Sequence, residues 1–178
     1  MIEDAVAIAK DAELAILVCG DNTVTSGEGR DRSKLVLAGR QRELILRVAE
    51  TGTPVVLVLE NGKAVDLSEE TSVCKAIVVA GFGGEYGAKA IVETLAGDVN
   101  PAGRLSVSYP RHEGMVPCYY SRLPGGSSEY LEGHPTPMYP FGHGLSYTSF
   151  EYSDLSVKPL GASSEDIRLS QVTEIGYF

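Results

Sequence analysis

Three short runs of apolar residues constrain the fold of this chain more than any other feature. They read LAILVC at 14–19, PVVLVLE at 54–60 and KAIVVA at 75–80, and segments with helical spacing separate them. A strand that is apolar throughout is buried on both faces, whereas a strand with one wet face alternates. The pattern predicts an α/β fold: a three-layer αβα sandwich with a mostly parallel sheet.

The predicted helices lie where such a fold needs them. Apolar residues recur every three or four positions in EDAVAIAKDA at 3–12, in GRQRELILRVAET at 39–51 and in the second part of GFGGEYGAKAIVETLAG at 81–97. Gly97 is placed to end the last of these helices. The next segment, RLSVSYP at 104–110, is predicted as a fourth strand of the sheet.

The pattern changes after Arg111, where Pro, Gly, Tyr and His accumulate and indicate a long loop. LSYTSFEYSDLSVK at 145–158 then alternates as a strand of an antiparallel sandwich does, and the remaining tail supplies at most one more strand. Three units are expected: an α/β sandwich over 1–112 that is incomplete at its start, a loop-rich connection over 113–145, and the incomplete beginning of a β-sandwich over 146–178.

Composition removes several classes of partner. A formal net charge of -9 argues against nucleic acid, which needs a dense basic surface. No run of 18 apolar residues exists, and the N-terminus is acidic where a signal peptide is basic, so no membrane partner is expected. Cys19, Cys74 and Cys118 lack the spacing of a zinc site, and Cys19 and Cys74 are expected to be buried thiols. No metal and no cofactor is expected.

Most familiar catalytic motifs are absent. GFGGEYG departs from the GxGxxG dinucleotide fingerprint because Tyr86 stands where the last glycine belongs, so a structural turn is the favoured interpretation. The three histidines, His112, His134 and His143, have no metal-ligand spacing and are expected to be surface or packing residues.

One carboxylate stands out, in SGEGRDR at 26–32, just after the first strand. A general acid must approach the bond that it protonates closely, and Gly27 and Gly29 on either side of Glu28 permit such an approach of the backbone. Taken without further information, the same residues also suit a solvated turn.

A resemblance favours catalysis. SGEGRDR, the segment 80–111 and the segment 137–152 resemble the C-terminal α/β sandwich of glycoside hydrolase family 3, the β-glucosidase and β-xylosidase family. The most specific part is a pair of motifs: GDVNPAGRL at 97–105, here called the helix-end motif, and YPFGHGLSYT at 139–148, here called the glycine-aromatic motif. The resemblance covers roughly residues 3 to 157, and its end resembles the start of a fibronectin type III-like domain.

The resemblance implies a retaining exo-β-glycosidase that removes terminal β-linked glucose- or xylose-type residues from oligosaccharides or glycosides. In this family a (β/α)8 barrel carries an aspartate nucleophile and the sandwich domain carries the acid/base glutamate, so Glu28 inherits the acid/base role. Asp31 and Arg32 match the family's DR pair and are expected to support the loop. Tyr119, Tyr120, Tyr139 and Tyr147 are expected to pack, although they could stack on sugar rings.

Nothing in the chain resembles the barrel, so we expect a fragment that has no turnover alone and whose partner is the barrel of the same polypeptide. Two alternatives stay open: a non-catalytic carbohydrate-binding or scaffold module of the same fold, and a nucleotide-binding α/β protein. The resemblance favours a periplasmic or secreted location.

Overall fold

The computed structural model describes residues 1–121 and 133–155, and the backbone of residues 172–177. Helices and strands alternate through the first half of the chain, as the apolar pattern predicts. In chain order the elements are α1 (Ile2–Lys10), β1 (Ala15–Gly20), α2 (Gln41–Ala49), β2 (Val55–Glu60), α3 (Ser68–Val73), β3 (Ala76–Val79), α4 (Gly87–Ala96), a 3-10 turn (Glu113–Met115), β4 (Thr148–Tyr152) and β5 (Val172–Tyr177).

The first three strands form one parallel sheet with the order β1-β2-β3. Each strand is joined to the next by a helix, because parallel neighbours need a crossover connection. The central strand β2 pairs through Leu57 with Leu17 of β1, and through Val58 with Val78 of β3. The predicted α/β class and parallel sheet are therefore confirmed.

The core lies on one face of this sheet. Alternate side chains of β2, Val55, Leu57 and Leu59, are at most 1% exposed and pack with Ile45 and Val48 of α2. Residues of α1 extend the same core at one end. Each of these fully buried aliphatic side chains contributes about 1.5 to 3 kcal/mol, so this layer supplies much of the fold's stability.

The opposite face of the sheet is less covered than the three-layer prediction requires. Ile16 and Val18 of the edge strand β1 are 49% and 62% exposed, whereas Val58 on the same face of the central strand is fully buried. The second helical layer is thus not seen over β1 in the described part of the chain.

The predicted fourth strand at 104–110 is wrong. The N–H of Leu105 donates to the carbonyl of His143 at 2.9 Å, and the N–H of Tyr109 donates to the carbonyl of Tyr139 at 2.8 Å. The segment therefore lies beside the glycine-aromatic motif, with one antiparallel bridge at Tyr109, and does not join the parallel sheet. Its alternating Arg-Leu-Ser-Val-Ser-Tyr pattern, unlike the continuous runs of β1 to β3, agrees with this difference.

The two motifs that carry the resemblance are hydrogen-bonded to each other. Gly97 ends α4 with φ at 84°, as its position in the sequence predicts. A few residues later, Asn100 Nδ2 donates to Thr148 Oγ1 at 2.9 Å, and Asn100 Oδ1 accepts the backbone N–H of Tyr147 at 2.8 Å. The helix-end motif and the glycine-aromatic motif together form a junction between the α/β domain and β4.

Three of the four tyrosines singled out in the sequence have packing or hydrogen-bond partners. Tyr139 shares a hydrogen bond at 3.0 Å with the hydroxyl of Thr71 in α3, and Tyr147 donates to a carbonyl in α4 at 2.7 Å. Tyr120 is 69% exposed but packs on the ring of Phe141, with 4.6 Å between the ring centroids. Tyr119 is 72% exposed, so the expected packing is found for three of the four tyrosines.

Beyond the junction, β4 pairs with β5 in an antiparallel ladder. The predicted strand over 145–158 is observed from Thr148 to Tyr152. Residues 156–158 of the predicted strand fall outside the described residues. Among the described residues of the tail, β5 is the strand that is observed. The three domain boundaries and the fibronectin type III-like character of 146–178 stay predictions. No helix in the described residues is long and apolar enough to cross a membrane.

Burial raises the pKa of the Cys19 and Cys74 thiols from an ordinary 9.0 to about 11, and the nearby Glu70 adds to both shifts. A two-unit rise leaves about a hundredth of the usual thiolate at neutral pH. We therefore expect iodoacetamide to modify Cys19 at least about a hundredfold more slowly in the folded chain than in urea, as followed by mass spectrometry of its peptide.

The same shifts fix a pH dependence. The unfolded chain ionises these thiols above pH 9.0 and the folded chain only near pH 11, so stability falls as the pH rises through this interval.

In the iodoacetamide experiment, rapid modification of Cys19 in the folded chain would contradict the burial of Cys19 beneath α2.

Candidate active site

The carboxyl ends of the three parallel strands meet at one edge of the sheet. β1 ends at Gly20, β2 at Glu60 and β3 at Val79, and the loops that follow them leave from this edge. In open α/β sheets ligands bind outside the carboxyl ends of the strands. Glu28 lies in the first of these loops, which spans residues 21–40 and is here called the β1 loop.

Glu28 occupies the second place of a tight turn. The N–H of Arg30 donates to the carbonyl of Gly27 at 3.1 Å, which closes a four-residue turn. Gly29, in the third place, has φ at 68°, a conformation that type II turns require and glycine adopts without steric cost. Glu28 is exposed, and within the described part of the chain its carboxylate has no hydrogen bond or ion pair. The turn therefore presents a free carboxylate to solvent.

A second turn precedes this one and is closed by Asn22. Its Oδ1 accepts the N–H groups of Val24 at 2.9 Å and Thr25 at 3.2 Å, and its own N–H donates to Thr25 Oγ1 at 3.0 Å. Asn forms such turns because its short side chain reaches backbone N–H groups two and three residues ahead. The approach of the chain to Glu28 is thus fixed locally.

The base of the β1 loop is held by a buried acid, Asp21, whose side chain is 3% exposed. Arg32 Nη1 lies 3.5 Å from Asp21 Oδ1, and Lys63 Nζ lies 3.2 Å from Oδ2. No aligned hydrogen bond reaches Oδ2 within the described residues, so its contact with Lys63 is an ion pair. Lys63 Nζ also donates to the carbonyl of Thr25 at 3.2 Å. One buried carboxylate thus connects both sides of the turn.

The far half of the β1 loop has three further anchors. Arg32 Nη2 donates to the carbonyl of Val36 at 2.9 Å. The backbone of Leu35 is held on both sides: its N–H donates to Glu113 Oε1 at 2.9 Å, and its carbonyl accepts the N–H of Asp66 at 2.6 Å. These bonds order a loop that contains no helix or strand.

The three predicted site residues, Glu28, Asp31 and Arg32, differ in exposure and in their contacts. Glu28 is exposed at the tip of its turn, and Arg32 points back to Asp21 and Val36. Asp31 is exposed and makes no hydrogen bond or ion pair with the residues that the structure describes. The acid/base role of Glu28 and the loop-supporting roles of Asp31 and Arg32 stay predictions.

Asp21, Lys63 and Glu113 are site residues that the sequence pattern does not predict. Asp21 had one usable signal, because it is the first residue after a buried strand and so lies at the edge where ligands bind. Lys63 and Glu113 had none, since their contacts join segments 38 and 78 residues apart.

The glycines of GFGGEYG are explained by the geometry of the turn between β3 and α4. Gly81 and Gly84 have φ near 62° and 64°, and a Cβ on Gly83 would lie 2.6 Å from the Cα of Gly87. These backbone constraints are enough to require glycine, whether or not a nucleotide binds. Among residues 1–121 and 133–155, no three His, Cys, Asp or Glu side chains are grouped as metal ligands would be.

Comparison with known proteins identifies related chains. Residues 1–147 match the family model described as the Glycosyl hydrolase family 3 C-terminal domain. A periplasmic beta-glucosidase of Salmonella typhimurium is 39% identical over 168 residues, which cover 88% of this chain and 22% of that protein. A beta-xylosidase of Formosa agariphila is 39% identical over 153 residues, covering 84% of this chain and 21% of that protein.

Solved structures agree. A beta-glucosidase from Listeria innocua, crystallised with glucose, superposes with a TM-score of 0.78 at 31% identity, covering 84% of this chain and 23% of that one. A beta-glucosidase from Erythrobacter marinus gives 0.79 at 41% identity, with 85% and 21% covered. This chain thus spans about a fifth of the length of the relatives that it matches.

Proposed function

This chain belongs to glycosyl hydrolase family 3, and from that membership we propose that it is the part of a retaining exo-β-glycosidase that supplies the general acid/base, Glu28. The nucleophile, an aspartate, belongs to a (β/α)8 barrel of the same polypeptide. The substrates are terminal β-linked glucose- or xylose-type residues, because the relatives are named beta-glucosidases and beta-xylosidases.

One observation carries the assignment of Glu28. Its carboxylate has no partner in the described residues, yet the turn that bears it is fixed by Asn22, Arg32 and Lys63. A solvated turn needs no such anchoring, whereas an acid/base group must be held at the bond that it protonates and must keep its own oxygens free. The location at the carboxyl edge of the sheet agrees with a ligand-facing role.

The reaction follows in two steps from this placement. The Glu28 carboxyl donates its proton to the glycosidic oxygen while that oxygen leaves the anomeric carbon and the nucleophile carboxylate forms an ester with the sugar. The Glu28 carboxylate then takes a proton from water, whose oxygen attacks the same carbon and releases the nucleophile. Retaining enzymes keep the two carboxyl groups about 5 to 5.5 Å apart, so Glu28 must face the barrel.

The test uses the complete reading frame that contains this chain, expressed and assayed with aryl β-glucosides and β-xylosides. We expect Glu28→Gln to lower kcat/KM about 10²- to 10⁴-fold for phenyl glycosides, whose poor leaving group needs a proton. The kcat/KM of Glu28→Gln for dinitrophenyl glycosides should fall much less, because the dinitrophenolate leaves without being protonated. Azide should restore turnover of Glu28→Ala by attacking the glycosyl-enzyme without a general base.

The matched control is Lys89→Met, which changes an exposed residue of α4 and should leave both substrates unaffected. If Glu28→Gln keeps the activity on phenyl glycosides, Glu28 is not the acid/base residue. A reading frame that begins at Met1 and encodes no barrel would favour the non-catalytic carbohydrate-binding or scaffold module.

A further inference from the structure

We propose that Asp21 and Lys63 are positioning residues for the turn that carries Glu28. The proposal rests on the acid/base function proposed above for Glu28. Neither side chain makes a hydrogen bond or ion pair with Glu28 in the described structure. They act through the backbone on one side of the turn and through Arg32 on the other.

The connectivity of Asp21 is the first argument. Its two carboxylate oxygens face different cations, Arg32 at 3.5 Å and Lys63 at 3.2 Å. Arg32 follows Glu28 by four residues, and Lys63 holds the carbonyl of Thr25, three residues before Glu28. The buried acid thus closes the base of the turn from both sides, and the second cation comes from the loop after β2. A shift of Glu28 relative to the sheet would have to break one of these contacts.

Burial makes this arrangement stiff. The side chain of Asp21 is 3% exposed, whereas Arg32 and Lys63 are 21% and 30% exposed. A carboxylate removed from water keeps its charge only beside compensating cations, so neither cation can move away without a penalty. The same attraction between exposed groups would be weakened by water and salt. A surface loop, which is ordinarily among the more mobile parts of a protein, is thereby fixed to a strand end.

Precision is what an acid/base residue needs from such a support. Catalytic groups must lie within about 0.5 Å of the productive geometry, and a misplacement of about 1 Å can reduce the rate about 100-fold. The turn around Glu28 contains two glycines with positive φ, Gly27 and Gly29, which permit the conformation but do not fix it. The contacts of Asp21 and Lys63 supply the restraint that the glycines cannot.

The first test is kinetic and uses the complete reading frame with Asp21→Asn and Lys63→Met. Both variants keep the approximate shape of the side chain and remove its charge. We expect kcat/KM for phenyl glycosides to fall about ten- to a hundredfold, and the value for dinitrophenyl glycosides to change much less. Lys63→Arg, which keeps the cation, should restore most of the activity.

The second test measures hydrogen exchange in the 178-residue chain. Asp21→Asn and Lys63→Met should speed exchange of the backbone amides of residues 25–30 at least about tenfold, without an equal change in the strands. Val48→Ala is the matched control. Val48 packs in the core of α1, α2 and β2, so its replacement by alanine destabilises the fold without a change in the β1 loop.

The outcomes separate the two proposals. If Glu28→Gln leaves the leaving-group dependence unchanged, the acid/base function fails, and hydrogen exchange still decides whether Asp21 and Lys63 hold the turn. If Glu28→Gln acts as expected but both charge variants resemble Val48→Ala in kinetics and in exchange, the positioning role is overturned. Should Asp21→Asn fail to fold, Lys63→Met decides alone, since Lys63 is partly exposed.

Discussion

Replacing Gly20 by alanine is expected to destabilise the protein by about 3 to 5 kcal/mol, more than most single substitutions do. Gly20 ends β1 with φ at 148°, and a Cβ there would lie 1.9 Å from the carbonyl oxygen of Glu60 in β2. The backbone cannot yield easily, because Gln41 binds both the N–H and the carbonyl of Gly20, at 2.6 and 2.8 Å. An alanine must therefore push β1 away from β2.

Urea unfolding followed by circular dichroism measures this effect as a lower midpoint with an unchanged slope. Gly52→Ala is the matched control: Gly52 has φ at 83°, and a Cβ there would meet nothing within 4 Å, so only about 1 to 3 kcal/mol of backbone strain is expected. Equal losses for the two variants would show that φ alone, and not the contact with Glu60, makes glycine necessary at position 20.

Replacing Glu70 by alanine is expected to destabilise the protein by about 3 to 5 kcal/mol, because Arg42 loses two charge-assisted hydrogen bonds to a fully buried carboxylate. Within the described residues, Arg42 then keeps only its bonds to Glu69 and to the Asp66 carbonyl. Glu70 is fully buried in α3 and accepts two hydrogen bonds from Arg42 of α2, at 2.8 and 3.1 Å. Burial is the largest single influence on Arg42 and opposes its charged form. The hydrogen bonds to Glu70 and the charges of Glu70, Glu69 and Asp66 together outweigh burial, so the pKa of Arg42 is raised. Thermal and urea unfolding measure the loss.

A second variant separates charge from packing. Arg42→Met combined with Glu70→Leu removes both charges and should recover a large part of the loss, because a buried ion pair is often replaceable by apolar residues of similar volume. Lys89→Met, which breaks an exposed pair with Glu93, should change stability by at most about 1 kcal/mol. If Glu70→Ala is as mild as Lys89→Met, the buried pair does not hold α2 to α3.

The parts of the fold that were predictable from the sequence are those in which local pattern and tertiary environment agree. β1, β2 and β3 were recognisable because a parallel strand covered by helices is apolar at every position. Helix α3 was not, since its most buried residue is Glu70, which hydrophobic periodicity counts as exposed. In α1 the spacing of Ala5, Ile8 and Ala9 predicts one buried face. Ile8 is nevertheless 74% exposed and Val6 is buried, because Ala and Val positions define two overlapping stripes in this short helix.

The candidate site shows the same division. The turn around Glu28 was recognisable because glycines on both sides of a carboxylate are a local signal. The anchors of the β1 loop depend on which loops the sheet brings together: Lys63 reaches the β1 loop from the end of β2, and Glu113 reaches it from the segment after the helix-end motif. Such contacts cannot be predicted from sequence spacing, because each of these charged residues resembles an ordinary surface charge in the sequence.

The junction between the helix-end motif and the glycine-aromatic motif has a consequence for how this family can vary in length. Because the two motifs are bonded to each other, the residues between them form a closed loop whose ends are fixed. The entropy of closing such a loop grows only with the logarithm of its length, by about 0.6 kcal/mol for each doubling. Insertions and deletions between the motifs that leave Tyr109, Glu113 and Met115 in place therefore cost little free energy, while both ends of the loop keep their places beside α4.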